Sequence, residues 1–329
     1  MSILLTGAAG FIGYHVNRAL LARGETVIGV DSLNDYYDVA LKEARLAQLT
    51  GERGFRFRRA NIADRAAIDE LCAAHPEIDR IVHLAAQAGV RYSLVNPFAY
   101  TESNITGQLV MLEAARRLPK LVHMVYASSS SVYGGNTKLP FAVSDPVERP
   151  ISLYAATKRA GELMAFNYSH LYGLPLTGLR FFTVYGPWGR PDMSAFLFTR
   201  AILDSEPIKV FNNGDMRRDF TYIEDIVAGV VAALDRPPAA CDGQPRHRLY
   251  NLGNHRSEPL MRFIEVIERA CNRKARMEFA PLQPGDVPET FADIEASTRD
   301  LGFLPHTTID DGIPRFVAWF REYHGLQSA

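Results

Sequence analysis

Cysteine is scarce in this sequence. Only Cys72, Cys241 and Cys271 occur among 329 residues, and their spacing is not that of a metal site. So few thiols exclude a disulfide framework and a cysteine-based zinc site, and they are typical of a reducing compartment. We therefore expect reduced thiols, no bound metal and a cytoplasmic location.

Net charge and long apolar runs are also lacking. The formal net charge is -1, so there is no broad positive field to attract nucleic acid or an acidic membrane surface. No apolar run approaches the roughly 20 residues of a membrane span. The apolar run 3–5 is broken by Gly7 and lacks a basic flank, which argues against a signal peptide. We expect neither a nucleic acid nor a membrane partner.

Apolar residues are abundant, at 47% of the chain, and they recur in a strand-helix alternation through its first half. This alternation predicts a doubly wound parallel α/β sheet, in which ligands bind at the carboxyl ends of the strands. The predicted strands are 3–6, 26–30, 55–58, 80–84, 121–127 and 176–181. The predicted helices between them include 39–49, 65–74 and 106–117.

The alternation stops after about residue 182, where stretches rich in Pro and Gly separate shorter elements and a polar insertion covers 237–248. We predict a Rossmann-like domain over 1–181 and a smaller, mainly substrate-binding lobe over 182–329. A helix at 225–234 is expected to pack back on the sheet. Predicted helices 261–272 and 309–323 are assigned to the smaller lobe.

A glycine-rich loop follows the first predicted strand. Gly7, Gly10 and Gly13 permit a tight turn and a close approach of backbone N–H groups to a pyrophosphate at the start of a helix, with Phe11 and Ile12 between them. Asp31 ends the second predicted strand and can accept the ribose hydroxyls of NAD while repelling a 2′-phosphate. The alternative for Asp31 is a turn or cap residue.

Two later segments extend the predicted cofactor site, because each follows a strand at the same edge of the sheet. They fall where adenine and the nicotinamide ribose of NAD would lie. Their residues are Asn61, Ile62, Leu84, Ala85, Ala86 and Gln87.

Tyr154 and Lys158 lie one helical turn apart at the start of a predicted long helix, so both side chains face the same way. A nearby ammonium and an oxidised nicotinamide both favour ionisation of the phenol, which can then act as a base. Ser129 follows the fifth predicted strand and can bond the reacting oxygen. The alternatives are a surface helix for the Tyr-Lys pair and an ordinary serine turn for Ser130 and Ser131.

With these motifs and with Arg180-Phe181-Phe182-Thr183, nearly the whole chain resembles the extended short-chain dehydrogenase family. The resemblance implies a Rossmann-like domain, tightly held NAD and a homodimer formed through helices that include the Tyr154 helix. Dehydratases and decarboxylases of the family carry acidic residues where this chain has Ser130 and Ser131. Epimerisation, by proton and hydride transfer at one carbon, fits the remaining groups.

The substrate is inferred from further resemblances. Residues 218–223 resemble the diphosphate-binding stretch of UDP-sugar epimerases, which implies a role for Arg218 with a contribution from Arg217. The 283–286 segment resembles a stretch of UDP-galactose epimerases in which the equivalent of Asp286 faces the nucleotide ribose. In the matching position for a phosphate-binding arginine, this chain has Gln283.

Residues 31–37, 87–91, 183–193 and 283–288 closely resemble UDP-glucuronate 4-epimerases. Arg91, in the second of these segments, is assigned to the substrate site, as is Ser130 beside Ser129. In the third, Arg190 and Thr183 supply a cation and a hydroxyl for a sugar carboxylate. The expected reaction interconverts UDP-glucuronate and UDP-galacturonate through a 4-keto sugar.

Three alternatives stay open. A UDP-glucose/UDP-galactose 4-epimerase would share every catalytic residue, although such enzymes have Asn where Thr183 stands. A UDP-glucuronate decarboxylase is disfavoured by Ser131. A non-catalytic dinucleotide sensor would not be expected to keep Ser129, Tyr154 and Lys158 together.

Overall fold

The computed structural model describes residues 1–240, 243–283 and 285–326. Within these ranges the strands are β1 Ser2–Thr6, β2 Thr26–Asp31, β3 Phe55–Arg59, β4 Arg80–His83, β5 His123–Ser129, β6 Leu176–Phe181, β7 Thr183–Tyr185, β8 Pro207–Phe211, β9 Arg217–Arg218, β10 Phe220–Tyr222, β11 His247–Leu252, β12 Glu258–Pro259 and β13 Arg276–Ala280. The α-helices are α1 Phe11–Ala22, α2 Val39–Ala47, α3 Arg65–Ala74, α4 Pro97–Thr101, α5 Gly107–Arg117, α6 Leu153–Tyr172, α7 Ser194–Leu203, α8 Ile223–Leu234, α9 Leu260–Cys271, α10 Glu295–Leu301 and α11 Ile309–Tyr323.

Seven parallel strands form the central sheet in the order β11-β6-β5-β4-β1-β2-β3. The central strands are buried along most of their length because helices cover both faces, as in other doubly wound sheets. The chain order reverses between β1 and β4, which is where such sheets bind ligands. The predicted fold class is confirmed, and the six predicted strands agree with the structure to within two residues at each end.

The seventh strand was not predicted. Strand β11 pairs with β6 over His247–Leu252, although its first residues lie in the stretch interpreted from the sequence as a polar insertion. An edge strand is covered on fewer sides, and only the last three residues of β11 are buried, so its sequence lacks a full apolar run. Residues beyond 182 therefore contribute to the main sheet as well.

Helix α8 also belongs to the sheet layer. The buried ring of His123, on β5, contacts the carbonyl oxygen of Leu234 at 3.1 Å and the Thr177 hydroxyl at 2.9 Å, so it links α8 to two strands. Burial lowers the pKa of His123 to about 4, opposed by the bond to Leu234, so the ring is neutral near pH 7. The boundary between the Rossmann-like domain, 1–181, and the smaller lobe, 182–329, stays a prediction.

The remaining strands form three two-stranded sheets, β7 with β10, β9 with β12 and β8 with β13. They pack with α7, α9 and α11 beyond the carboxyl end of the main sheet, where Phe220 stacks on Phe263 with ring centroids 3.8 Å apart. In the described part of the chain, no helix is both long and apolar enough to cross a membrane. Cys72 and Cys271 are free thiols, whereas Cys241 lies outside the described residues.

Candidate active site

A cleft of about 1150 Å³ lies at the carboxyl ends of the parallel strands. With the exception of Arg217, every residue predicted to contact cofactor or substrate lines this single cleft. They are Gly7, Gly10, Phe11, Ile12, Gly13, Asp31, Asn61, Ile62, Leu84, Ala85, Ala86, Gln87, Arg91, Ser129, Ser130, Tyr154, Lys158, Thr183, Arg190, Arg218 and Asp286. The sequence motifs therefore meet at one place in the fold, although they are far apart along the chain.

The glycine loop is packed too tightly for larger residues. Gly7 has φ +74°, and a Cβ there would lie 2.8 Å from the Ala85 nitrogen. A Cβ at Gly13 would lie 2.0 Å from the Gly7 carbonyl oxygen. Gly10 precedes α1 in an extended conformation and provides no side-chain cap, so the helix N-terminus presents backbone N–H groups to the cleft. This is the geometry of an anion site at a helix N-terminus.

Asp31 lies at the end of β2 beside this loop. One of its carboxylate oxygens accepts a hydrogen bond from the Ala9 N–H at 3.0 Å, and the other accepts from the Leu33 N–H at 2.9 Å. The turn role considered from the sequence is thus present. Each carboxylate oxygen still has acceptor capacity for a ribose hydroxyl. The glycine loop, the N-terminus of α1 and the Asp31 carboxylate together fit a bound dinucleotide.

Tyr154, Lys158 and Ser129 lie together between helix α6 and the end of β5. The Ser129 hydroxyl lies beside the Tyr154 phenol. It donates to the Ser131 hydroxyl at 3.2 Å and accepts from the Ser131 N–H at 3.2 Å. The Lys158 ammonium donates to the Ala127 carbonyl oxygen at 2.9 Å. Helix α6 begins at a Ser152 cap, which places Tyr154 in its first turn at the cleft.

Burial controls the acidity of this group. It raises the pKa of Tyr154, opposed by the Ser129 hydrogen bond and the positive charge of Arg190. Burial also lowers the pKa of Lys158 to about 8, opposed by the nearby Glu162 carboxylate. Burial favours the neutral forms of Tyr154 and Lys158 because both side chains have lost contact with water. An added positive charge beside the Tyr154 phenol would favour its ionised form.

The far end of the cleft brings Arg91, Arg218 and Asp286 together. Arg91 donates to Asp286 at 3.0 Å, and Arg218 donates to the Pro288 carbonyl oxygen at 3.0 Å. Burial lowers the pKa of Arg218, opposed by the Asp286 charge. Two guanidinium groups against one carboxylate leave a net positive charge, which suits a diphosphate.

The expectation for Arg217 differs from the structure. Arg217 does not line the cleft, because it pairs with Glu289 at 3.3 Å and donates to the Ser257 carbonyl oxygen. Of the 283–286 segment, Pro284 lies outside the described residues, whereas Asp286 faces the cleft.

Arg190 lies in the cleft but already has an acidic partner. Its Nε donates to one oxygen of Asp192 at 3.0 Å, and its Nη2 donates to the other at 2.5 Å. The Tyr36 hydroxyl donates to the same carboxylate at 2.9 Å. Sequence reasoning had included Tyr36 and Asp192 only within matching segments and had assigned them no role.

Arg45 was missed altogether, and it is fully buried behind the cleft. Its guanidinium donates to the Ala9 carbonyl oxygen, the Tyr37 hydroxyl and the carbonyl oxygens of Trp188 and Gly189, at 2.7 to 3.2 Å. It thereby ties the glycine loop to the segment that carries Arg190. An arginine on an amphipathic helix normally faces solvent, so its sequence position held no signal of this role.

The glycine loop follows β1 at the switch point of the parallel sheet, and the cluster of Ser129, Tyr154 and Lys158 lies at the end of β5, two strands away. Together these features define a dinucleotide-binding enzyme of the short-chain dehydrogenase type. The chain belongs to the NAD dependent epimerase/dehydratase family, whose model matches residues 3–253. This confirms the family inferred from the sequence.

Three relatives illustrate the similarity. A probable UDP-glucuronate 4-epimerase of Rhizobium meliloti is 47% identical, with 97% of each chain covered. UDP-glucuronate 4-epimerase 2 of Arabidopsis thaliana is 46% identical over 98% of this chain and 76% of its own. The crystal structure of UDP-glucuronic acid 4-epimerase from Bacillus cereus, in complex with UDP-glucuronic acid and NAD, superimposes with a TM-score of 0.90 at 32% identity. It covers 98% of this chain and 100% of that one.

The buried arginine behind the cleft leads to a stability prediction. Replacing Arg45 by Met leaves the carbonyl groups of Ala9, Trp188 and Gly189 without this donor, and one buried unsatisfied polar group costs roughly 1–3 kcal/mol. We expect the free energy of unfolding, measured in urea, to fall by about 3 kcal/mol. Arg53→Met, in the exposed loop before β3, is the matched control and should change it by less than about 0.5 kcal/mol. Equal values for the two variants would contradict the role of Arg45.

Proposed function

We propose that the protein is an NAD-dependent 4-epimerase that interconverts UDP-glucuronate and UDP-galacturonate. The observation that carries the proposal is the position of the Tyr154 phenol, beside Ser129 and between the dinucleotide loop and Arg190. The similarity to UDP-glucuronate 4-epimerases over almost the whole chain supports the same substrate.

The residues that would hold NAD are the N–H groups at the start of α1, the Asp31 carboxylate and the Lys158 ammonium. Asn61, Ile62 and the 84–87 segment would line the remaining wall. When bound, NAD accepts the C4 hydride and later returns it, and its oxidised ring adds a positive charge that favours the ionised phenol.

The protein's own groups move the proton. Tyr154 takes the proton of the sugar O4, and Ser129 donates a hydrogen bond to the same oxygen as it becomes a carbonyl. In the second half of the reaction, Tyr154 returns the proton to O4. Lys158 favours the phenolate and orients the ribose, and the overall reaction causes no net change in oxidation state.

Inversion at C4 requires that the hydride return to the opposite face of the sugar. A sugar ring that turns between the two transfers would present its opposite face for the return of the hydride. Arg91 and Arg218 would anchor the diphosphate during this turn, and Asp286 would face the nucleotide ribose. The diphosphate would therefore be held at one end of the cleft, and the sugar ring would turn at the other end.

An acidic sugar is favoured over a neutral one because the Arg190 guanidinium and the hydroxyls of Thr183 and Ser130 line the same cleft as Tyr154. The 4-keto intermediate is a β-keto acid, which loses carbon dioxide most readily when its carboxylate bond is perpendicular to the carbonyl plane. Arg190 and Thr183 would hold the carboxylate near that plane. A UDP-glucose/UDP-galactose 4-epimerase is the second candidate and would be recognised by comparable rates on neutral sugars.

The role of Tyr154 gives the direct test of the chemistry. In Tyr154→Phe the proton acceptor is lost, so we expect the rate of UDP-galacturonate formation from UDP-glucuronate to fall at least about 100-fold, as measured by NMR. Binding of UDP should be retained. Tyr172→Phe, on the half-exposed end of the same helix, is the control and should keep the wild-type rate. An active Tyr154→Phe variant would exclude the proposed base.

The protein is further proposed to act in the cytoplasm as a homodimer. Helices α5 and α6 are joined by the bond from the Tyr168 hydroxyl to Glu113 at 2.7 Å. Both expose large apolar side chains, Leu109 on α5 and Leu163 and Phe166 on α6, with exposed fractions of 41%, 53% and 50%. A second copy of the chain would cover this face, in line with the family resemblance.

Sedimentation tests the homodimer. Leu163→Glu with Phe166→Glu would place charge in the covered face, so we expect the dimer of the wild type to dissociate to a monomer. Phe279→Glu, on exposed strand β13, is the control and should leave the mass unchanged. A wild type that sediments as a monomer at micromolar concentration would refute the proposal.

A further inference from the structure

Arg190, the cation expected to bind the carboxylate of an acidic sugar, already forms an ion pair with Asp192. The guanidinium of Arg190 forms a two-pronged ion pair with Asp192, and both side chains reach the cleft, with exposed fractions of 22% and 30%. Its Nη1 makes no hydrogen bond with the described residues. Asp192 therefore holds one edge of the guanidinium and leaves the Nη1 side for a ligand.

Asp192 is itself fixed in place. Tyr36, in the segment after Asp31, donates to it at 2.9 Å. Gly89 packs against the same cluster, since a Cβ there would lie 2.6 Å from the Tyr36 hydroxyl and 3.6 Å from both Arg190 Nη2 and the Asp192 carboxylate. Burial raises the pKa of Asp192, but the charge and hydrogen bonds of Arg190 outweigh this and lower it, so both partners are charged at neutral pH.

The formal charge of this pair is zero. A sugar carboxylate that approaches the Nη1 side of Arg190 is attracted by the guanidinium and repelled, across that guanidinium, by the Asp192 carboxylate. The proposed reaction also requires the carboxylate to leave its position when the ring turns. An unshared cation in a partly dehydrated cleft would hold the carboxylate more tightly than a shared one, and tight binding opposes such a turn.

We propose that Asp192 shares Arg190 with the carboxylate of an acidic sugar nucleotide, so that it weakens the grip of the cleft on that carboxylate and makes it reversible. The inference rests on the proposed function and adds a residue that tunes specificity within the same site. Removing the charge of Asp192 should strengthen binding of an acidic sugar nucleotide and leave binding of a neutral one unchanged.

The test uses the NAD-bound full chain with Tyr154→Phe as the parent, so that turnover does not disturb the measurement. Titration calorimetry gives Kd for UDP-glucuronate, UDP-glucose and UDP in the parent and in parent plus Asp192→Asn. We expect Kd for UDP-glucuronate to fall about tenfold, because a like charge near the ligand is removed, while the other two change by less than about twofold.

Tyr36→Phe in the same parent is the matched control. It removes a hydrogen bond to Asp192 but keeps the carboxylate and its bonds to Arg190, so the ratio of Kd for UDP-glucose to that for UDP-glucuronate should stay within about twofold of the parent. Asp192→Ser, a second neutral substitution, replaces Asp192→Asn if the latter does not yield folded protein.

Two results would overturn the proposal. If Asp192→Asn raises Kd equally for all three ligands, Asp192 only maintains the shape of the cleft. If the substitution raises Kd for UDP-glucuronate alone, Asp192 positions Arg190 for the ligand without sharing it. If the parent binds UDP but neither sugar nucleotide more tightly than UDP, the proposed function fails instead, so the two failures can be told apart.

Discussion

The arrangement of the cleft depends on the buried carboxylate of Glu162. One of its oxygens accepts hydrogen bonds from the Ser128 hydroxyl at 2.6 Å and from Arg180 Nε at 2.8 Å, and the other accepts from Arg180 Nη2 at 2.9 Å. These bonds fasten α6 to the carboxyl ends of β5 and β6. Tyr154, Lys158 and Glu162 follow at intervals of four, so the fastening fixes the face of α6 that carries the phenol and the ammonium.

The segment after β2 joins the glycine loop to the part of the cleft that contains Arg190. Tyr36 bonds Asp192, and Tyr37 bonds Arg45, which in turn holds the backbone just before Arg190. The dinucleotide loop and the sugar end are therefore parts of one hydrogen-bonded unit. Charge is distributed unequally along the cleft, with a net positive group at the proposed diphosphate end and a neutral ion pair at the proposed sugar end.

Features that depend on nearby residues could be predicted from the sequence. The glycine loop, Asp31 and the Tyr154-Lys158 pair each lie within one strand-turn-helix unit, where local spacing sets the geometry. Arg45 and Asp192 could not be predicted in this way, because their partners Trp188 and Tyr36 are 143 and 156 residues away. Strand β11 was missed because half of it lies at an exposed edge with little apolar patterning.

The closest test of the account follows the hydrogen atom at C4. UDP-glucuronate carrying deuterium at C4 is incubated with the protein in ordinary water, and the product is analysed by NMR and mass spectrometry. If C4 is oxidised and reduced within the one cleft, UDP-galacturonate retains the deuterium at C4. Replacement of the deuterium by solvent hydrogen, or a pentose product formed with loss of carbon dioxide, would contradict the account.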